Sequence, residues 1–419
     1  MNTSELDYLN QQTLSVEKDF DLAPLLTKIK DCKLVCMGDA SHGTHEFYEW
    51  RMKISLELIR NHGFQFVSFE GDWPDFEGIN KYLLSEAGES KKSINDLLKE
   101  NFARWPQWMW ANQEMKEFIN EVRLHNLSVT PDRRVKFHGL DLYSIQKSAK
   151  QIPVLLEELD PIIAKLTSNR LIDIDFAENT LKLINKIPRP ETERKQWLLL
   201  SAKQNAKAVL NGLRFKKSSG IDDDRPWNIR DRHMMDTLTS LFNHYGEKAR
   251  GIVWAHINHV SDIRRVGGMS TISLGGLAKD ALGDEAVSLI AFMTYSGKVT
   301  ASSKWDGSVK TMNVPPAIPG SMESALNLVS LKRNAKNLLL LFEKFDKQGP
   351  ISRPLMYHFV AVVYNPNFDQ QENYVYGSLP NRFDALFFID KTRALEPLDK
   401  LQNELDIKLQ DESSDLESI

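Results

Sequence analysis

The feature that most restricts this chain is a recurring pattern: a short apolar run closes on Gly, Asp, Glu or His, and a longer amphipathic stretch follows. Lys33 to Gly38 leads into a helical pattern from about Thr44 to Asn61, and Gln65 to Glu70 leads into another from about Phe76. A helical stretch from Gln107 to Asn126 precedes the run Val135 to Leu140, and Gly251 to Ala255 and Ala286 to Met293 follow much later. Short buried strands alternating with helices describe parallel β-α-β units. The expected fold class is therefore α/β, a three-layer α/β/α core with a mostly parallel sheet.

Residues 1–142 and 248–400 carry these strand runs and are read as the catalytic core. Residues 143–247 are charge-rich and helical in pattern, with stretches such as Glu191 to Leu213 that lack any strand signal, and they read as a large helical insertion over the cleft. Leu338 to Phe342, Tyr357 to Tyr364 and Ala385 to Ile389 are separated by Pro, Asn and Gly turns and are expected to extend the sheet. Residues 401–419 form a polar, acidic tail.

At 419 residues with 42% hydrophobic content the chain can bury a large core. A net charge of -4 gives no basic face for nucleic acid. Neither a basic-then-apolar leader nor an uninterrupted apolar run of roughly 18 residues occurs, so no membrane partner is expected. Cys32 and Cys36 lie in an apolar run and read as packing residues, which suits a reducing, cytoplasmic setting.

Ligands of open parallel sheets bind outside the carboxyl ends of the strands. At those ends the first run gives Asp39 and His42, the second Glu70 and Asp72, the third Asp141, and the fourth His256 and His259. One such residue reads most simply as a helix cap or turn carboxylate. Four strands delivering carboxylates and imidazoles to one edge favour a chemical site. His42 is the candidate base, since an imidazole oriented by a carboxylate removes a proton from water attacking an ester. Asp39 and Glu70 are its orienting carboxylates. His256 and His259 are candidates for donating to the leaving oxygen or to the oxyanion, with no residue-level reason to prefer either.

Arg51 falls on the same helical stripe as Phe47, Ile54 and Leu58, so it faces inward; an ion pair with Glu70 and a direct substrate contact both fit. His45 points nearly opposite and reads as structural. Trp108 and Trp110, in the run Trp105 to Trp110, and Tyr143 are candidate walls for an apolar ligand, although packing explains the tryptophans equally well. Asp72 and Asp141 are candidates for attracting a cationic substituent such as a protonated amino sugar. The chain contains no G-x-S-x-G elbow, no H-E-x-x-H motif, no G-x-x-x-x-G-K-[ST] loop and no G-x-G-x-x-G fingerprint after the first strand. The spacings His42-x-x-His45 and His256-x-x-His259 keep a metal-dependent hydrolase open as an alternative.

The segments GDASHGTHEFYEWR (38–51), FVSFEGDWPD (66–75), WPQWMWAN (105–112) and HGLDLYS (138–144) resemble the erythromycin esterase family, as do WNIRDRHMMDTL (227–238), VWAHINHVSD (253–262), LGDEAVSLIAFMTYSGKVTA (282–301) and FDALFFIDKTRALEPL (383–398). That resemblance implies opening of a macrolactone ester by histidine-activated water, with a small-molecule substrate and no cofactor or metal. It places the water-activating histidine at His42, its acidic partner at Asp39, the supporting arginine and glutamate at Arg51 and Glu70, and the paired histidines at His256 and His259. The family often has glutamate where this chain has Asp39. A non-enzymatic iron or haem carrier of the same fold is a further alternative.

Overall fold

The computed structural model describes residues 1–398 apart from 87–91, 169, 221–223, 265–269, 346–348 and 350. The tail expected at 401–419 lies outside the described residues. The strands are β1 (Thr13–Ser15), β2 (Leu34–Asp39), β3 (Phe66–Asp72), β4 (Lys136–Asp141), β5 (Gly251–His256), β6 (Val287–Ser302), β7 (Val309–Val314), β8 (Asn337–Leu341), β9 (Leu355–His358), β10 (Tyr374–Gly377) and β11 (Ala385–Thr392). The main sheet runs β1-β8-β11-β6-β2-β5-β3-β4, with β7 added on β6. Every pairing from β11 across to β4 is parallel, while β1, β7 and β8 pair antiparallel.

Alternation along β3 shows how the layers form. Phe69 packs on one face against Phe76 and Trp110, and Trp254 of β5 stacks there on Phe118 at 4.7 Å. Phe66, three residues earlier, points to the other face and meets Phe242 and Tyr245 of the helix Arg225–Tyr245. The period of two therefore puts Glu70 on the side of that helix. By the same rule Asp39 leans toward the helix His45–His62, on which Phe47, Ile54 and Leu58 are fully buried and Arg51 is 1% exposed.

Between β4 and β5 lie the helices Ile145–Leu156, Pro161–Thr167, Ile174–Ile184, Glu193–Ser218 and Arg225–Tyr245. The first four share an apolar core of their own, including Ile152, Leu156, Ile184, Ala202 and Val209. Met234, Leu238 and Leu241 of the fifth instead join the main core. Among the described residues no helix is long and apolar enough to cross a membrane.

Three sequence expectations need correction. Tyr357 to Tyr364 does not extend the main sheet: β9 stops at His358 and pairs with β10 in a separate two-stranded sheet. Beyond it the chain turns across the carboxyl edge, and Val360 and Tyr364 pack with Val299, Ala301 and Val314. The helix expected from Gln107 begins at Gln113, capped by the Asn112 side chain, after a single turn at Gln107–Met109. Strand β6 outruns its expected end at Met293: it stays in parallel register with β11 as far as Gly297, and Gly297 to Ser302 pair antiparallel with β7.

Candidate active site

A cavity of about 310 Å³ opens at the carboxyl edge of the sheet, lined by His42, Glu70, Asp72, Asp141, His256 and His259 among others. His42 is carried by the turn after β2, which is pinned from several directions. Ala40 donates its N–H to the Phe292 carbonyl, and the Ala40 carbonyl accepts from Val360 at 2.6 Å. The Gly43 carbonyl accepts from both Thr300 and Leu395 at 2.9 Å. Any side chain at Gly43 would enter β6, since a Cβ there lies 1.8 Å from the Thr300 carbonyl oxygen.

The His42 ring stands between two carboxylates: Nδ1 is 3.3 Å from Asp39 Oδ1, and Nε2 is 3.7 Å from Glu70 Oε2. Burial works against a charged ring, but Asp39 and Glu70 outweigh it and raise the His42 pKa. Asp39 is fully buried, and Arg51 approaches its Oδ2 at 2.8 Å. Burial opposes this carboxylate too, yet Arg51 and His42 hold it below the usual range. Arg51 is not a cavity residue. Its Nε donates to the Phe47 carbonyl and its guanidinium lies 4.6 Å and 4.7 Å from the Tyr48 and Trp254 rings, so its partner is Asp39 and not Glu70.

Glu70 is partnered instead by Arg230, whose Nη2 donates to Oε1 at 2.6 Å, and its Oε2 accepts the His256 backbone N–H at 2.7 Å. Arg230 also grips Asp141 through Nε and Nη2 at 2.9 Å and 2.6 Å. Burial opposes both charges, but the neighbouring His259 imidazole, the Arg230 guanidinium and His42 hold Glu70 well below, and Arg230 holds Asp141 below, the ordinary carboxylate range.

The two histidines after β5 differ in kind. His259 Nδ1 is 2.6 Å from Asp231 Oδ1, and its ring stacks on Trp227 at 4.2 Å. Burial favours the neutral ring, while Asp231 and Glu70 favour the charged one. Nε2, however, lies 2.9 Å from Arg230 Nη1, a contact only a neutral ring can accept. Two cations cannot share that line, so we assign a neutral His259 that donates to Asp231 and accepts from Arg230. His256 caps its own short helix, with Nδ1 accepting the Asn258 N–H at 3.3 Å. Nε2 therefore carries the proton, and it is buried without a partner. Burial and the neighbouring His42 drop the His256 pKa to about 3, so this ring is neutral at working pH. The His42 and His256 rings face each other at 5.1 Å.

Tyr143 and Trp110 line the cavity, but Trp108 does not; it is 3% exposed within the core. His45 points away and pairs with Glu114 at 2.6 Å. The carboxylates expected to attract a cation already hold one each. Asp141 and Glu70 share Arg230, while Asp72 accepts from Arg104 at 3.1 Å and 2.9 Å and from Ser144 at 2.7 Å. Asp75, which also lines the cavity, bonds Lys147 at 2.7 Å, and burial with Asp72 nearby raises its pKa to about 7. Among the described residues no three His, Cys, Asp or Glu side chains are grouped so as to hold a metal ion.

Sequence reasoning missed Arg230, Asp231, Trp227, Asn258, Trp305 and Phe359 as site residues. The first three lie at helical spacing in WNIRD, so one helix face was the available signal. Trp305 and Phe359 come from connections outside the parallel strands and carried none.

A family model for erythromycin esterases matches residues 59–392. The chain belongs to the erythromycin esterase family. It is 23% identical to the erythromycin esterase type II of Escherichia coli, with 90% of this chain and 93% of that one covered. A solved Bacillus cereus protein superposes with a TM-score of 0.75 at 17% identity, covering 95% of this chain and 99% of the other. A succinoglycan biosynthesis protein gives 0.70 at 18% identity over 94% and 98%. An erythromycin esterase mutant in its open conformation gives 0.61 at 13% identity over 90% and 95%. The α/β fold with its mostly parallel sheet is thus the fold of this family.

Proposed function

We propose that this protein is a carboxylic ester hydrolase that opens macrolide-type lactones by direct attack of water, with His42 as the base and neither cofactor nor metal taking part. Neutral His42 takes the proton from water as the water oxygen bonds to the ester carbonyl carbon. Asp39, fixed by Arg51, and Glu70, fixed by Arg230, stabilise the imidazolium that forms. The developing oxyanion receives the Nε2–H of His256. As the tetrahedral species collapses, the carbon–oxygen bond to the alcohol breaks and the His42 imidazolium returns its proton to the departing oxygen, giving acid and alcohol.

The observation that carries this reading is the placement of His42 between two carboxylates and beside a His256 whose buried Nε2 donor has no partner. His259 is excluded from the oxyanion role because both its ring nitrogens are already bonded to Asp231 and Arg230. The name of the Escherichia coli relative supports a macrolide lactone as the substrate, and Trp110, Tyr143 and Phe359 supply an apolar wall for it.

The test is hydrolysis of 14- and 16-membered macrolides in ¹⁸O-labelled water. One labelled oxygen is expected in each product acid, with none in the enzyme and no burst of alcohol, because no acyl-enzyme forms. His42→Ala is expected to reduce turnover by about 100-fold or more while the protein stays folded. Near-normal turnover in the folded variant, or an acyl adduct on the enzyme, contradicts the mechanism.

A further inference from the structure

The cavity is small for the substrate class its family suggests. At about 310 Å³ it stands at the lower end of the range that accepts drug-sized ligands, roughly 300–1,000 Å³. Trp305, on the tip of the β6–β7 hairpin (residues 303–308), forms part of its wall. Trp305 on that tip is 62% exposed, yet it lines the cavity and packs on Trp105 with ring centroids 4.5 Å apart. Trp105 Nε1 donates to the Gly307 carbonyl at 3.1 Å. Arg104, Pro106 and Gln107, next to Trp105 in the chain, also line the cavity. The tip is a tight turn: Gly307 donates to the Lys304 carbonyl, and Asp306 sits at φ 56.

We infer that Trp305 and Trp105 form a size gate that sets which esters reach His42. Docked, the two rings close the cavity around a compact ester; undocked, the hairpin tip clears the space that a macrolactone needs. A tilted ring pair and one hydrogen bond are together worth about a tenfold bias toward the docked state. A compact ester reacts behind the closed gate, and a bulky one reacts only in the open minority, with its rate lowered by that factor. The inference rests on the hydrolase reading above for its kinetic test, and a second measurement frees it from that dependence.

Trp305→Ala is compared with Trp305→Phe and the unaltered protein on two aryl esters with the same leaving group, one with a short linear acyl chain and one with a large ring-bearing acyl group. The ratio of kcat/KM for the bulky over the compact ester is expected to rise about tenfold in Trp305→Ala and to stay within about twofold in Trp305→Phe. An unchanged ratio in Trp305→Ala overturns the gate. The independent measurement, which needs no turnover, is acylation of His42 and His256 followed by peptide mass mapping, with diethyl pyrocarbonate as the compact reagent and an N-acylimidazole carrying a large ring-bearing acyl group as the bulky one. The rate with the bulky reagent is expected to rise several-fold in Trp305→Ala alone while the rate with the compact one stays within about twofold, and equal bulky-reagent rates in all three proteins overturn the gate. Absence of ester hydrolysis by the unaltered protein, with faster bulky-reagent acylation of Trp305→Ala, sinks the hydrolase reading and leaves the gate standing.

Discussion

Replacing Arg230 with Met keeps most of the side-chain volume and removes the cation that answers both Glu70 and Asp141. Both carboxylates are buried, with Glu70 6% and Asp141 2% exposed, so neither recovers the loss by hydration. Breaking a buried pair and stranding its charge costs about 3–5 kcal/mol. At about 2.1 cal/mol/K of unfolding entropy per residue, a chain of 419 residues loses about 1 °C of Tm per kcal/mol, so a fall of about 3–6 °C is expected near neutral pH. The two carboxyls are held below their unfolded values in the native protein. Their stabilising contribution is therefore present above about pH 4 and is lost only below it. In Arg230→Met burial loses an opponent at both carboxyls, its main one at Asp141, so both pKa values rise and proton uptake restores part of the stability as pH falls. The deficit should be widest at pH 8 and narrower at pH 5, and adding Asp141→Asn should recover part of it. Thermal unfolding followed by circular dichroism at the two pH values checks this. A deficit under about 1 °C, or one equal at both pH values, refutes the assignment of Arg230 as the shared counter-ion.

Asp39→Asn removes the nearer charge that raises the His42 pKa, so the acid limb of kcat/KM, which follows loss of neutral His42, should shift to lower pH as the plateau drops; a pH-rate profile with an unmoved limb contradicts the pairing. Gly43→Ala should cost at least about tenfold in kcat/KM and about 1–3 kcal/mol in stability, since its Cβ meets the Thr300 carbonyl oxygen at 1.8 Å; urea unfolding and steady-state kinetics report both, and normal values for both would show that the turn yields. Dialysis against a chelator should leave activity unchanged, because Asp39, Glu70, Asp72 and Asp141 each already hold a guanidinium; activity lost on dialysis and restored by zinc or manganese would promote a metal-dependent hydrolase.

The strand-ends were legible because a buried parallel strand must be apolar until it reaches the sheet edge, so the first polar residues mark that edge. His42, Glu70, Asp141 and His256 were found in this way. Arg51 was legible as an inward cation, but its partner was not, since a helical wheel gives direction and no distance. Arg230 escaped because its role exists only once the helix Arg225–Tyr245 lies against β4. The segment Tyr357 to Tyr364 has the composition of a strand, and part of it is one; its continuation is apolar because it packs over the site with Val299 and Ala301. Composition cannot separate those two kinds of burial.

The turn that carries His42 is secured by Phe292, Thr300, Val360 and Leu395, all made long after it. At ribosomal rates of about 5–20 residues per second, roughly 20–70 seconds separate the synthesis of His42 from that of Leu395. Through that interval the turn lacks the partners that fix it, so a nascent chain carries His42 without its final geometry even though Asp39 and Glu70 are already made. Contacts of such long range also make folding slow. The geometry of the candidate site is thus set only once the chain has been made as far as Leu395.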